Sequence, residues 1–314
     1  MITKTSTKDM SHEQWLEARR KSIGGSDAAS ILGLNQYNSA YALWCEKTGK
    51  ITPEDISDKE AVRLGNDLEQ YAAERFMDAT GKKVRRENNI IYNDDYPFAH
   101  ANPDRMVIGE KAGLECKTTS SWDIAQKLRA GKIPEHWYCQ CVHYLMVTGC
   151  DRWYLGALAF GVGFFHFTIE RNNDEIAALA QAEKDFWGCV TNNAPPALDG
   201  SQATTDALKT IYADSRPGTA VDLTAVSYHI DAYNALTTQI KELETQRADH
   251  ENNIKDWMGD AEKGSCGNVT ISWKSASRST FDRKTYEAEN GKIPDRYYKT
   301  TPTRTFRVTV KKGA

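Results

Sequence analysis

The sequence lacks the features that mark several classes of protein. Its 314 residues contain only seven cysteines, irregularly spaced and without a Cys-x-x-Cys pair, which argues against a disulfide framework and a structural zinc site. The longest apolar stretch, at about 153–169, is interrupted and shorter than the roughly 18 residues that a membrane span needs. Residues 1–12 include no apolar segment typical of export. We therefore expect a cytoplasmic protein with reduced thiols.

The sequence also has no strong excess of either charge. The net charge is −3 from 40 basic and 43 acidic residues, so a nucleic-acid site would need its positive charge concentrated locally. Short basic runs at residues 19–21, 82–86 and 127–132 are candidates, although each alone is typical of a solvated surface. With 40% hydrophobic residues, the chain can bury a sizeable core.

The residue pattern changes along the chain from helical to β-like and back. Helical spacing with capping residues predominates at 11–81, and short β-like runs follow at 88–118. Two helices, a hairpin and a further helix are predicted at 121–131, 134–148, 153–169 and 175–190. The composition then shifts toward Asn, Pro, Ala, Gly and Ser, which places a domain boundary between 192 and 193.

The segment from 193 to 314 is predicted to be a C-terminal extension. It contains a long helix at about 228–260 and a small β segment at about 267–311. Apolar residues in the helix recur at alternating steps of three and four, the spacing of a coiled-coil seam, which Arg247 and His250 interrupt. The helix packs either on a partner helix or back on its own domain.

Two acids and a lysine form the strongest candidate for chemistry. Glu115 and Lys117 lie two residues apart in a β-like run, so strand alternation places both side chains on one face. If Asp104 lies on the neighbouring strand, two carboxylates converge beside an ammonium, a hard-oxygen site that suits Mg²⁺ or Mn²⁺. A Glu-x-Lys triplet arises by chance about once in a chain of this length. An exposed strand face is therefore an equal alternative on the local pattern.

Two further polar residues lie in unusual surroundings. Glu69 borders the apolar stripe of a predicted helix, with the small residues Gly65 and Ala73 one turn away, so its carboxylate can approach another element. Gln140 lies in a largely apolar helix, where it can hydrogen-bond a water or a phosphate. A surface position for Glu69 and simple helix packing for Gln140 are the alternatives.

A candidate phosphate site lies near the start of the chain. Arg19 precedes a glycine turn that leads through Ser26 into a helix, and the first N–H groups of such a helix attract phosphate. Ordinary capping by Ser26 or Asp27 is the alternative.

Taken in order, these patches resemble the phage lambda-type exonuclease family, also called the YqaJ-like viral recombinase nucleases, within the PD-(D/E)xK nucleases. Several patches at compatible intervals carry the resemblance, which is more specific than any one of them. They are Trp15 with Arg19 and Ile23-Gly-Gly-Ser26-Asp-Ala-Ala, Leu43-Trp44 with Glu46-Lys-Thr-Gly49, Leu64-Gly65 with Glu69, Asn102-Pro-Asp104-Arg, Leu114-Glu115-Cys-Lys117, and Tyr138-x-Gln140 with His143-Tyr144.

The resemblance implies an α/β fold with a restriction-endonuclease-like core, in which helices flank a central mixed β-sheet, over residues 1–192. It implies a metal-dependent DNA exonuclease that uses Mg²⁺, with Mn²⁺ as the alternative ion. Such an enzyme digests one strand of linear double-stranded DNA from its 5′ end to mononucleotides, and it leaves a 3′ overhang for phage-type recombination. The implied partners are double-stranded DNA ends, two further copies of the chain in a homotrimer, and a single-strand annealing protein.

The resemblance also assigns roles to residues. Asp104, Glu115 and the carbonyl of Cys116 would hold the metal ion, and Glu69 would support a second one. Lys117 would serve the nucleophilic water.

The remaining implied roles concern the substrate. Gln140 would help to hold the water or the DNA, and Arg19 with Ser26 would grip the 5′-phosphate. One departure is Arg105, since many relatives have Gly after the Asp. A structure- or site-specific endonuclease on the same core and a non-catalytic DNA-end-binding protein are the alternative functions.

Overall fold

Two units make up the chain in the computed structural model, Met1–Ala213 and Asp214–Ala314, and the structure describes residues 1–53, 55–300 and 303–309. The first unit extends beyond the boundary predicted after residue 192. The reason is a helix at Gln202–Ile211, where Ala207 is buried and Thr204 donates a 2.8 Å hydrogen bond to Ser39 in the buried interior.

The helices and strands of the first unit alternate along the chain. Its helices are α1 (His12–Arg20), α2 (Gly25–Ile31), α3 (Ala40–Lys47), α4 (Glu60–Thr80), α5 (Trp122–Arg129), α6 (Glu135–Thr148), α7 (Asn173–Thr191) and α8 (Gln202–Ile211). Its strands are β1 (Ile2–Ser6), β2 (Val84–Arg86), β3 (Asn89–Asn93), β4 (His100–Ala101), β5 (Arg105–Val107), β6 (Ala112–Thr119), β7 (Arg152–Ala159) and β8 (Gly163–Glu170).

The main sheet has the order β2-β5-β6-β7-β8. Strands β6 and β7 are parallel, and the other neighbouring pairs are antiparallel, which makes the sheet mixed as predicted. Helices α5 and α6 connect β6 to β7. A parallel pair needs a long crossover of this kind, and here it places α6 beside the strand that carries Glu115 and Lys117.

A smaller antiparallel sheet has the order β1-β3-β4. Strand β1 was not predicted, because its five residues are polar or exposed and show no apolar alternation. Backbone pairing with β3, from Ile2 opposite Asn93 to Ser6 opposite Asn89, forms this strand instead.

Helices cover both faces of the main sheet, and strand alternation divides the apolar side chains between them. Leu114 and Tyr154 share a small core with Phe76 of α4 on one face. Leu155 belongs to the larger core that includes Leu145 of α6. Because Glu115 pairs with Leu155 across the two parallel strands, its side chain lies on the α6 face of the sheet. The fold thus buries this acid between the sheet and α6.

The second unit consists of α9 (Ser227–Met258), a hairpin of β9 (Lys263–Cys266) and β10 (Val269–Ser272), and α10 (Arg283–Asn290). The long helix lies where it was predicted. The predicted β segment at 267–311 is wrong in part, since the hairpin begins earlier, α10 follows it, and residues 303–309 form no strand. The end of that prediction, 310–311, lies outside the described residues.

Apolar side chains of α9 face solvent in this structure. Tyr233, Leu236, Ile240 and Leu243 are each about half exposed, and Trp257 is 93% exposed. No described residue of the second unit is buried. Among the described residues, no helix combines the length and the apolar character that crossing a membrane requires.

Candidate active site

Strand β6 presents Glu115 and Lys117 on the same face, as alternation predicts. The Lys117 Nζ atom lies 2.7 Å from Glu115 Oε1. Glu115 is buried, because β5 and β7 flank its strand and α6 covers its face. A charged side chain is costly at such a position unless a partner compensates its charge. The exposed strand face that was the alternative for this motif is therefore wrong.

Asp104 joins these residues from the start of the neighbouring strand. It directly precedes β5, and its Oδ2 atom accepts a 2.7 Å hydrogen bond from the backbone N–H of Cys116. Since Cys116 stands between Glu115 and Lys117, this bond brings both carboxylates and the ammonium to one point on the sheet. The predicted convergence is thus present.

Gln140 bridges the acid and the lysine from helix α6. Its Nε2 atom donates to Glu115 Oε1 at 2.7 Å, and its Oε1 atom accepts from Lys117 Nζ at 2.8 Å. Nε2 also contacts the hydroxyl of Tyr144 at 2.9 Å, and that hydroxyl donates to the carbonyl of Asn102. We call Asp104, Glu115, Lys117 and Gln140 the acid cluster.

Negative charge is in excess within the acid cluster. Burial and the nearby charge of Glu115 raise the pKa of Asp104 well above its usual range. Burial opposes the charge of Lys117, but the carboxylates of Glu115 and Asp104 outweigh that effect and raise the pKa of its ammonium. The second carboxylate oxygen of Glu115, Oε2, is buried and has no hydrogen-bond partner. The acid cluster therefore has more acidic than basic groups. Its buried oxygen Glu115 Oε2 could bind a cation.

These donors fit one divalent cation. Mg²⁺ in enzymes is often bound by one or two carboxylates while water and substrate phosphates complete its shell. Asp104 and Glu115 provide two carboxylates, and Glu115 Oε2 is a buried oxygen without another partner. In the described part of the chain, no set of three or more His, Cys, Asp or Glu side chains is arranged to hold a metal ion. A cation here would thus depend on further ligands from backbone, water or DNA.

Glu69 lies near the cluster but is engaged elsewhere. Its carboxylate accepts from the guanidinium of Arg105 and lies 3.8 Å from that of Arg86. Arg105 is 2% exposed and also donates to the carbonyl of Asp104 at 2.8 Å. The charge of Glu69 still contributes to raising the pKa of Asp104, after burial and Glu115. Glu69 is therefore close to the acid cluster without sharing a hydrogen bond with it.

Arg19 and Ser26 form a second pair near the start of α2. The Arg19 guanidinium donates to Ser26 Oγ at 2.9 Å and lies 4.5 Å from the ring centroid of Trp15. Asp27, not Ser26, caps the helix, since its Oδ2 accepts from the backbone N–H of Gly24 at 2.9 Å. The buried Lys47 ammonium lies 2.7 Å from the same Asp27 oxygen. The Ser26 hydroxyl therefore does not cap the helix and accepts from Arg19 instead.

A close contact between α2 and α6 joins the two sites. A Cβ atom at Gly25 would lie only 2.6 Å from the Tyr144 ring and 3.0 Å from Gln140 Cγ. Only glycine allows the helices to approach this closely. Because Ser26 follows Gly25, the Arg19–Ser26 pair lies beside the Gln140 end of the acid cluster.

Sequence reasoning gave no role to two residues that organise the site. Tyr144 supports Gln140, and Lys47 pairs with Asp27 while its Nζ donates to the carbonyls of Arg19 and Ser22 at 2.9 Å. Both residues stand within patches that carry the resemblance to the nuclease family. A signal for Tyr144 was its spacing of four residues from Gln140, which puts the two on one helix face.

Comparison with known proteins identifies the family. The profile of the YqaJ-like viral recombinase domain matches residues 14–151, which include the acid cluster and the Arg19–Ser26 pair. The uncharacterised protein YqaJ of Bacillus subtilis (strain 168) is 41% identical over 303 residues, which cover 95% of this chain and 93% of that protein. The chain belongs to the YqaJ-like viral recombinase family.

The chain is also similar to solved structures. The alkaline exonuclease of Laribacter hongkongensis, crystallised with dAMP, matches with a TM-score of 0.50 at 21% identity, over 58% of this chain and 94% of its own. A phage-related exonuclease from Haemophilus somnus 129PT matches with a TM-score of 0.41 at 13% identity, over 57% of this chain and 99% of its own. The first of these confirms the restriction-endonuclease-like fold, with a central mixed sheet between helices.

Proposed function

We propose that this YqaJ-like protein is a Mg²⁺-dependent exonuclease that digests one strand of linear double-stranded DNA from its 5′ end. The products are mononucleotides and a duplex with a 3′ single-stranded overhang, which phage-type recombination can use. The observation that carries the proposal is the acid cluster, in which Glu115 pairs with the Lys117 ammonium, Asp104 accepts from the Cys116 N–H beside them, and Glu115 Oε2 has no hydrogen-bond partner. The viral recombinase family and the fold of an alkaline exonuclease support the same activity.

Asp104 and Glu115 would hold the divalent ion, with the carbonyl of Cys116 as a further ligand. When bound, a Mg²⁺ or Mn²⁺ ion supplies Lewis-acid polarisation of a phosphate oxygen and orients the attacking water. Glu69 would support a second ion, for which its carboxylate must leave the guanidinium of Arg105.

Lys117 and Gln140 act on the reacting groups directly. Because neighbouring carboxylates raise the pKa of Lys117, its amine stays protonated and donates to the water and to the phosphate oxygen on which negative charge develops. Gln140 fixes Lys117 and Glu115 relative to each other through its two hydrogen bonds. When Glu115 binds a cation instead, Gln140 can hold the water or the DNA strand.

Arg19 and Ser26 would bind the 5′-phosphate of the strand that is digested. Their mutual hydrogen bond of 2.9 Å places a guanidinium and a hydroxyl together, and both can donate to phosphate oxygens. The Trp15 ring keeps the guanidinium in place by stacking. A terminal phosphate held there would set the scissile bond at the acid cluster, because Gly25 brings the two sites together.

The 5′-phosphate site has a direct test. Wild type should digest 5′-phosphorylated duplex faster than duplex with 5′-hydroxyl ends, and Arg19→Ala should reduce that preference. Arg20→Ala is the matched control, since Arg20 pairs with Glu17 on the exposed side of the same helix. Equal wild-type rates on both kinds of end would refute the assignment.

We further propose that the active form is a homotrimer that acts on DNA ends and passes the 3′ strand to a single-strand annealing protein. A ring of three chains would keep the enzyme on one duplex during digestion. The second unit, with its exposed apolar helix α9, is available for contacts with other chains.

Digestion of labelled DNA tests the main proposal. Linear duplex with different labels at its two 5′ ends should lose both labels as mononucleotides in Mg²⁺ and neither in EDTA, while covalently closed circular duplex stays intact. Nicking of the closed circle would indicate an endonuclease on the same core. Binding of ends without hydrolysis under Mg²⁺ or Mn²⁺ would indicate a non-catalytic DNA-end-binding protein.

A further inference from the structure

Helix α5 carries an exposed aromatic and basic surface close to the acid cluster. It follows β6, the strand of Glu115 and Lys117, and its buried residues Ala125 and Leu128 fix it to the core. On its exposed side, Trp122 is 61% accessible to solvent. The guanidinium of Arg129 lies 5.6 Å from the centroid of the Trp122 ring. We call Trp122 and Arg129 the stacking pair.

The first turn of α6 follows α5 after a short loop. His136 lies there, and its pKa is lowered by burial and then by the positive charges of Lys117 and Lys127. Interactions between exposed charges are largely screened beyond about 10 Å at 0.1 M ionic strength. His136 is therefore near both the lysine of the acid cluster and the basic side of α5.

Among the described residues, the basic side chains on α5 and in the loop after it form no ion pair. Elsewhere in the first unit, cations such as Lys47 and Arg105 are engaged by carboxylates. Within the described residues, Lys127, Arg129 and Lys132 form no ion pair. Positive charge that is not compensated by the protein is available to DNA phosphates.

We propose that the stacking pair binds an unpaired nucleobase of the DNA strand held at the acid cluster, while Lys127 and Lys132 contact the adjoining phosphates. The proposal rests on the nuclease function proposed above and names a further contact of its substrate. Arg129 lies over the indole, and Trp122 is 61% exposed, so ring surface remains accessible to a base. Because every base has a π-face, the site accepts any sequence, as a general nuclease requires.

Binding without hydrolysis tests the stacking site. The probe is a 5′-phosphorylated single-stranded oligothymidylate, followed by fluorescence anisotropy with the full chain in EDTA. Trp122→Ala should weaken binding about tenfold, the scale expected for the loss of one base–aromatic stack. Trp122→Phe should keep most of the affinity. Trp257→Ala removes an indole that is 93% exposed in the second unit, and this matched control should bind like wild type.

An oligonucleotide of the same length without bases separates stacking from charge. Wild type should bind this abasic strand about tenfold more weakly than oligothymidylate, and Trp122→Ala should cause no further loss. The stacking site is refuted if Trp122→Ala binds oligothymidylate as tightly as wild type, or if it loses equal affinity for both strands. Circular dichroism of the variant should match wild type, since the side chain is exposed.

The outcome for the stacking site can be distinguished from the outcome for the nuclease function. A wild-type protein that digests linear duplex, with unchanged oligothymidylate binding by Trp122→Ala, contradicts the stacking site alone. A wild-type protein that binds oligothymidylate but digests nothing contradicts the nuclease function alone, provided that Trp122→Ala weakens binding. A wild-type protein that does not bind oligothymidylate contradicts the stacking site, while digestion of linear duplex alone decides the nuclease function.

Discussion

Two buried polar clusters lie along helix α6 and differ in how their charges are balanced. The acid cluster meets the helix at Gln140. One turn later, His143 faces Glu183 of α7, and we call these two residues the histidine pair. His143 Nδ1 lies 2.7 Å from Glu183 Oε1, and His143 Nε2 lies 2.8 Å from the carbonyl of His100. Both side chains of the pair are fully buried.

The histidine pair combines one carboxylate with one imidazole whose pKa is raised, whereas the acid cluster combines two carboxyl groups with one ammonium. Each cluster has one buried carboxylate oxygen without a hydrogen-bond partner, Glu115 Oε2 and Glu183 Oε2. The surplus charge raises the pKa of Asp104, after the effect of burial itself. Removing one partner of a buried pair is strongly destabilising, because the other partner is left buried without compensation. Two buried acids that raise each other's pKa are more typical of a site that binds a cation or a substrate. The comparison assigns stability to one cluster and chemistry to the other.

The largest expected effect is on catalysis in the acid cluster. Asp104→Asn should lower digestion of linear duplex about a thousandfold or more, because it removes a charge from the proposed cation site. The stability to urea should not fall, since the amide oxygen can still accept from Cys116 and the repulsion with Glu115 disappears. Asp94→Asn, at an exposed acid, is the matched control. A loss of activity below tenfold would contradict the assignment.

The histidine pair should show the opposite behaviour. His143→Ala should destabilise the protein by about 3–5 kcal/mol in urea unfolding, because it leaves Glu183 buried without its partner. At a temperature where the variant remains folded, its activity per folded molecule should stay within about twofold of wild type. Unchanged stability of His143→Ala would show that the histidine pair does not stabilise the fold.

The contact at Gly25 connects the acid cluster to the fold, so a small substitution there should affect both properties. Gly25→Ala places a methyl group against the Tyr144 ring, which must move and carry Gln140 with it. We expect a loss of about 1–3 kcal/mol in stability and a decrease in activity. Gly188→Ala, in a helix with open space around it, is the control and should cost nothing. Equal effects of the two substitutions would argue against a close approach of α2 and α6.

The smallest expected effect is a pH dependence that the histidine pair introduces. Burial opposes the charge of His143, but the charge and hydrogen bond of Glu183 outweigh it and raise its pKa above 6.5. Because the folded state holds the proton more tightly than the unfolded chain, this stabilisation is complete below about pH 6.5 and is lost as the pH rises through the folded-state pKa. Urea unfolding should therefore show a stability difference between wild type and Glu183→Gln that shrinks toward alkaline pH. A difference that stays constant with pH would contradict the charged pair.

The sequence predicted the parts of the site that follow from local geometry. Strand alternation placed Glu115 with Lys117, and the apolar helix around Gln140 indicated that this polar side chain lies in apolar surroundings. Neither pattern could show that Glu69 pairs with Arg105, since that contact joins α4 to the start of β5 across the fold. The contact of Gly25 with Tyr144 is likewise tertiary.

The domain boundary after residue 192 and strand β1 were harder to predict from the sequence. The Asn-, Pro- and Ser-rich segment after residue 192 suggested a linker, but α8 buries Ala207 and Thr204 against the first unit. Strand β1 is held by backbone pairing and lacks an apolar face, so its residue pattern gives no signal. Side-chain patterns therefore predict elements that bury apolar surface more reliably than they predict elements that bury none.

Binding of a divalent ion without DNA tests the central claim most directly. Titration of Mn²⁺ into wild type, with the free ion measured by electron paramagnetic resonance, should show binding that Asp104→Asn and Glu115→Gln abolish. Glu183→Gln, which removes the carboxylate of the histidine pair, should bind Mn²⁺ like wild type. Equal binding by wild type and Asp104→Asn, or no binding by wild type, would contradict the acid cluster as the metal centre.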